Sequence, residues 1–241
     1  MLHPTEFSCR QGRGGFARAA GWLLAIGAAA LASCGGGGGH HHGPPPPTVL
    51  FEESFDGPFP GAWEVVQPTA VVNAGDGQPA PCVDLLGGGM AQPWIQHRPS
   101  PPWAWTWEGG IEVFVYACFL EGAAFGAAEI DVLSLDSVAP GVDGTDASVD
   151  VQGSWATGLT VTYSILTQGG WVQAVENLPP GAGWHDYAYE VRYDGTASWY
   201  RDGLERLSTG NETVYAAYLG LALRSFFDLD AEFDEILVRR P

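Results

Sequence analysis

The chain has 241 residues, 34 of them Gly and 18 Pro, and a formal net charge of −18. All ten basic residues are Arg, set against 28 acids. That balance excludes binding along nucleic-acid phosphates, which needs clustered cations. With 10 Trp, 8 Tyr and 11 Phe, the chain has the apolar area for a packed core, so a disordered chain is excluded too. The Gly and Pro content disfavours a helical bundle.

Residues 1–33 read as an export signal rather than as part of a fold. Arg10, Arg13 and Arg18 form a positive start, and Ala19 to Leu31 form an apolar run too short to cross a bilayer as a helix. The following Leu31-Ala32-Ser33-Cys34 resembles the lipobox of bacterial lipoproteins. That resemblance implies cleavage before Cys34, acyl chains on Cys34, and an exported protein anchored in the cell envelope, at the outer membrane or cell surface. Two or more chains are what stable anchoring requires. Residues 34–47 would then be the lipidated Cys and a tether. Its Gly run is flexible, and Pro44 to Pro47 make a stiff spacer of roughly 12 Å. His40 to His42 lack the fixed geometry of a metal site and read as solvated linker.

Cys82 and Cys118 are the remaining thiols of residues 48–241. In an exported protein they form a candidate disulfide, worth about 4 kcal/mol by loop closure, with two separate buried thiols as the alternative.

Residues 48–241 alternate short β-rich runs with Gly, Pro, Asn and Asp. Strands are expected over 49–55, 83–86, 111–119, 129–135, 148–152, 159–167, 171–175, 186–193, 197–201, 216–223 and 233–239. No run keeps a 3.6-residue period for three turns, so one all-β domain is expected, a two-sheet antiparallel sandwich. Tyr187, Tyr189, Val191 and Tyr193 alternate with Ala188, Glu190 and Arg192, giving one aromatic and one polar face. Asp202-Gly203 supplies the positive φ of a tight hairpin.

Three segments carry a family resemblance. Phe51 to Gly57 with Trp63 resembles the first strand of concanavalin A-like (laminin-G-like) jelly rolls. Trp184 to Gly195, continuing through Trp199 to Gly203, resembles their penultimate strand and hairpin return, and Phe233 to Val238 their final strand. The resemblance implies a concanavalin A-like jelly roll. It also implies a structural Ca²⁺ held by Asp234, with Glu53 in the first strand as a further oxygen donor.

Glu129-Ile130-Asp131-Val132-Leu133-Ser134-Leu135-Asp136 is the most informative stretch. Its apolar phase shifts between 132 and 133, which predicts a β-bulge there and places Glu129, Asp131, Ser134 and Asp136 on one face. The stretch resembles the active-site strand of laminarinase- and lichenase-type glucanases, glycoside hydrolase family 16. The resemblance assigns the nucleophile position to Glu129 and the intervening carboxylate to Asp131. The acid/base position falls on Ser134 in the bulged form and on Leu133 in the unbulged one, and neither can protonate a leaving group. Asp136 lies roughly 20 Å along the strand, beyond the ~5–5.5 Å separation of a retaining pair. An acidic outer face without function is the plain reading of the same residues.

Trp103, Trp105 and Trp107 share one face if extended, so they are either a sugar-stacking platform, with Trp94 as a possible fourth member, or core. His97 and His185 read as structural, and Asp143, Asp146 and Asp150 as a solvated acidic loop. The expectation is a surface-anchored, non-catalytic lipoprotein that binds a polysaccharide or other glycan on the concave face of the sandwich, through Glu129, Asp131, Ser134 and the three indoles. The alternatives are a β-glycan hydrolase with a relocated general acid and a structural or adhesive envelope module.

Overall fold

The computed structural model describes residues 47–241 except 57–60, 68–69, 74–81, 86–92, 106–108, 121–124, 136–143, 155–157, 180–182 and 228–229. The signal segment, Cys34, the tether and Trp107 therefore lie outside the described residues.

Sixteen strands follow one another: β1 Thr48–Glu53, β2 Glu64–Gln67, β3 Ala70–Asn73, β4 Cys82–Leu85, β5 Trp94–His97, β6 Trp103–Ala104, β7 Ile111–Leu120 and β8 Phe125–Ser134. Then come β9 Gly144–Ser154, β10 Gly158–Thr167, β11 Gly170–Leu178, β12 Trp184–Val191, β13 Ala197–Arg201, β14 Leu204–Ser208, β15 Tyr218–Phe227 and β16 Asp230–Arg240. They form two antiparallel sheets packed as a concanavalin A-like jelly roll. The first runs β14-β13-β12-β7-β16-β4-β3 with β1 also on β16, and the second β11-β10-β9-β8-β15-β5-β2 with β6 also on β15.

Strict alternation builds the core between the sheets. Val113, Val115, Tyr187, Tyr189 and Trp199 point in from the first sheet, and Ile130, Val132, Val149, Val161, Tyr163, Leu221 and Leu223 from the second. Burying each such side chain contributes roughly 1.5–3 kcal/mol. Trp199 also ties the sheets together, its Nε1 donating to the Ser164 carbonyl at 3.1 Å. At one rim Glu176 of β11 joins the two outermost strands. It contacts Arg201 at 3.1 Å and Arg206 at 3.2 Å, and accepts from the Tyr163 hydroxyl.

Tyr193 departs from the expected aromatic face. β12 ends at Val191, and Tyr193 stands exposed in the following turn. The Asp202-Gly203 hairpin is as expected, both residues having positive φ (48° and 68°).

The Cys82–Cys118 disulfide does not form. Cys82 is a buried free thiol. The two cysteines lie on β4 and β7 with β16 between them, Val83 facing Phe233 and Cys118 facing Glu232. Two strand spacings of ~4.8 Å exceed the Cα separation a disulfide can bridge. Burial and the nearby Glu232, Asp84 and Asp234 push the Cys82 thiol up to about 12, so it stays protonated and unreactive.

Candidate functional site

The outer face of the second sheet carries the polar cluster. On β8, Ile130 and Val132 enter the core, so Glu129 and Asp131 point the other way. Antiparallel partners share a face, and register therefore assembles the site. Glu129 stands between Asp150 of β9 and Arg224 of β15, and Asp131 between Ser148 and Ala222. Across β15, Arg224 faces Trp94 and Ala222 faces Gln96, both on β5.

Arg224 ties the cluster together. Its Nε lies 2.8 Å from Asp131 Oδ2 and its Nη1 3.6 Å from Glu129 Oε2. The Nε contact is an ion pair rather than an aligned hydrogen bond. The guanidinium carbon sits 4.2 Å from the centre of the Trp94 ring, within cation–π range. Ser148 donates its hydroxyl to Asp150 at 2.9 Å, and Gln96 Nε2 donates to Glu64 at 2.7 Å.

Glu129 and Asp131 share this one guanidinium, with Asp150 beside Glu129. Burial is the largest cause of the upward shift in both Glu129 and Asp131. The charges of Asp131 and Asp150 raise Glu129 further, to about 8, against the pull of Arg224. Arg224 opposes the rise of Asp131 more effectively, leaving it at about 6. At neutral pH Glu129 therefore holds a proton that its neighbouring carboxylates can accept as a hydrogen bond.

Ser134 does not belong to this face. The register shift does fall between Val132 and Leu133, but the extra residue is Asp146 on β9. β8 pairs with β15 without interruption from Gly126 to Ser134. Alternation therefore continues, turning Ser134 inward beside Leu219 and setting Leu133 on the face of Glu129 and Asp131. There Leu133 lies opposite Gly220, where an added Cβ would come within 3.3 Å of Leu135. Leu133, one of the two residues to which the resemblance gives the acid/base role, thus lies on the face of Glu129 and Asp131.

Of the expected indole platform, Trp103 and Trp105 are held elsewhere, and Trp107 lies outside the described residues. Trp103 is core, packed among Phe51, His97 and Trp63. Trp105 is half-buried and donates Nε1 to the Ala216 carbonyl at 2.7 Å. Trp94 is the indole beside the carboxylates. On the same face, Asp150 faces Thr162, which faces Val175 on the edge strand β11, where Trp171 and Val175 are exposed.

Asp146 and Asp150 are strand residues rather than a solvated loop; Asp143 lies outside the described residues. His97 stacks on Phe51 at 4.2 Å with Nδ1 donating to the Ala62 carbonyl, and His185 Nδ1 contacts Asp202 at 2.7 Å.

Asp234 and Glu53 lie where β1 and β4 meet end to end along β16. Asp234 Oδ1 accepts from the Glu235 N–H and Glu53 Oε1 from the Phe55 N–H, both at 2.8 Å. Among the described residues, no group of three or more His, Cys, Asp or Glu side chains is arranged to hold a metal ion. A Ca²⁺ there would draw most of its oxygens from backbone carbonyls.

No family model matches the chain, and no curated protein matches significantly. Solved structures do match in fold. The catalytic domain of an endo-1,3-beta-glucanase (laminarinase) from Thermotoga petrophila RKU-1 aligns with a TM-score of 0.56 at 14% identity, covering 80% of this chain and 97% of that one. The Emp47p carbohydrate recognition domain aligns at 0.58 with 7% identity, again over 80% and 97%. The T. cruzi calreticulin globular domain aligns at 0.55 with 12% identity over 79% and 87%. At such identities the likeness establishes the jelly-roll fold alone.

Proposed function

We propose that this protein is a non-catalytic glycan-binding lipoprotein, exported and held in the bacterial cell envelope by acyl chains on Cys34. The observation that carries the reading is the outer face of the second sheet. It places an indole, a guanidinium and three carboxylates side by side where sugar hydroxyls and a sugar ring could meet them. Leu133 in the acid/base position supports binding without cleavage. Glycan-active proteins and carbohydrate recognition domains share the architecture, which supports the same class of ligand. A structural Ca²⁺ at Asp234 and Glu53 is part of the proposal, since hard carboxylate oxygens suit that ion.

The test is a glycan screen of the purified protein with and without Ca²⁺, repeated with Trp94→Ala. Binding that falls at least tenfold in the variant is the expected result. No binding to any glycan, with the variant indistinguishable, would favour a structural or adhesive module.

One observation favours a second reading, a β-glycan hydrolase with a relocated acid. Glu129 is held protonated near neutral pH, as a proton donor must be. Against it, Glu129 and Asp150 are cross-strand partners in hydrogen-bond contact, closer than the ~5–5.5 Å a retaining pair requires.

A further inference from the structure

On the outer face of the second sheet, carboxyl groups outnumber cations among the described residues. Glu129, Asp131 and Asp150 stand on neighbouring strands with Glu64 three strands beyond β8, and Arg224 is the cation that contacts Glu129 and Asp131. Arg224 is already spent on Asp131 and Glu129 and lies flat on Trp94. A neutral sugar can give these carboxylates hydroxyl donors but cannot offset their charge. An ammonium group supplies both, three N–H donors and one positive charge.

A separate observation points to a donor-rich ligand on the same face. Gln96 is only 5% exposed, and its Oε1 has no hydrogen-bond partner although its Nε2 is taken by Glu64. Only Ala222, with its small side chain, stands between Gln96 and Asp131 across the sheet. An orphaned buried acceptor is destabilising, and a ligand donor that reached Gln96 Oε1 would satisfy it.

Building on the carbohydrate reading above, we infer that the ligand is a cationic glycan, a polysaccharide whose sugars carry free, protonated amino groups. One ammonium donates to Glu129 and Asp150. A hydroxyl further along the chain donates to Gln96 Oε1, and a sugar ring packs beside Trp94. Asp150 to Gln96 spans three strand spacings, roughly 14 Å, so the site takes several linked sugars rather than one. Binding of the ammonium also discharges the proton on Glu129.

The experiment compares three hexasaccharides on the full chain in detergent at pH 6: β-1,4-linked glucosamine, its N-acetylated form and a neutral β-1,4-glucan. The free-amine form should bind at least tenfold more tightly than the other two. Asp150→Asn and Glu129→Gln should each bring that ratio towards one, while Glu205→Gln on the outer face of the other sheet leaves it unchanged. A ratio that survives both site variants would come from the acidic surface as a whole and overturns the inference. Equal affinity for all three overturns the charge preference and leaves the carbohydrate reading standing. So does binding confined to other glycans of the screen. Silence across the whole screen overturns both.

Discussion

Glu129 competes with Asp131 for one guanidinium beside the charge of Asp150, and burial removes the water that would otherwise screen them. The consequence for stability has a definite sign. The folded state holds a proton on Glu129 up to about pH 8 and on Asp131 up to about pH 6, whereas an unfolded chain releases both near pH 4. Their contribution is intact below that pH and is lost as pH rises from about 4 to 8. Glu129→Gln keeps the neutral form at every pH. Its melting temperature should equal the wild type at pH 5 and exceed it at pH 8, by on the order of 2 kcal/mol of stability. Parallel melting curves for the two proteins from pH 5 to 8 would refute this. The pair was legible in sequence because Ile130 and Val132 fix the phase of their strand. Arg224, Asp150 and Gln96 were not, although Arg224 is a lone cation in an apolar run and Asp150 alternates with Val149 and Val151. What joins these residues is the register between distant strands, which local pattern does not encode.

The acid/base position teaches the same lesson at the next scale up. Adjacent apolar residues at 132 and 133 signal a change of phase within β8, and a shift in register does occur there. The extra residue sits on β9 instead, as Asp146, because β15 holds β8 in unbroken pairing on its other side. Leu133 is fully buried but lies opposite Gly220 outside the core cluster, so its being apolar does not mean that it faces the core. A proton donor for an active-site strand would therefore have to stand at 133. The wild type should leave unactivated β-glucans uncut, since loss of general acid–base assistance costs a factor of ~10²–10⁴. Ser134→Glu buries a carboxyl in the core and should lower the melting temperature without creating activity, whereas Leu133→Glu sets the carboxyl on the correct face. Wild-type turnover of a natural β-glucan that Glu129→Gln abolishes would show that another group supplies the proton. The β1–β16 junction makes a second prediction. Phe55 and Glu235 both hold positive φ there without being Gly, so a cation that fastens the turn acts where the backbone is costly. Millimolar Ca²⁺ should raise the melting temperature, and Asp234→Ala should remove the rise. A melting temperature flat across the titration removes calcium from the proposal. The long strands were readable because each alternates over a two-sided layer. The short β2, β3, β5, β6 and β14 were not, since their few residues acquire strand character only from the partners they meet.

For the molecule as a whole, the all-β reading rested on turn chemistry and alternation, which act locally and so survive without knowledge of partners. The Cys82–Cys118 pairing failed because it depended on the order of strands, with β16 inserted between β4 and β7. In the proposed function, attachment to the envelope rests on acyl chains at Cys34. Among the described residues no helix is long and apolar enough to cross a membrane, and the apolar run before Cys34 is too short to do so. A protein carrying −18 charges is repelled by anionic lipid headgroups, so its charge would not replace the proposed acyl chains. Cys34→Ser should therefore shift the protein from the membrane fraction to a soluble secreted or unprocessed form, measured by fractionation and by the loss of fatty-acid labelling. Removing two chains forfeits about 0.8 kcal/mol for each buried methylene, more than any weak surface contact of this acidic domain can replace. Recovery of the variant in the membrane at wild-type levels would mean that another segment or a partner holds it there. The lipid anchor would then have no part in presenting the polar face of the second sheet to its glycan.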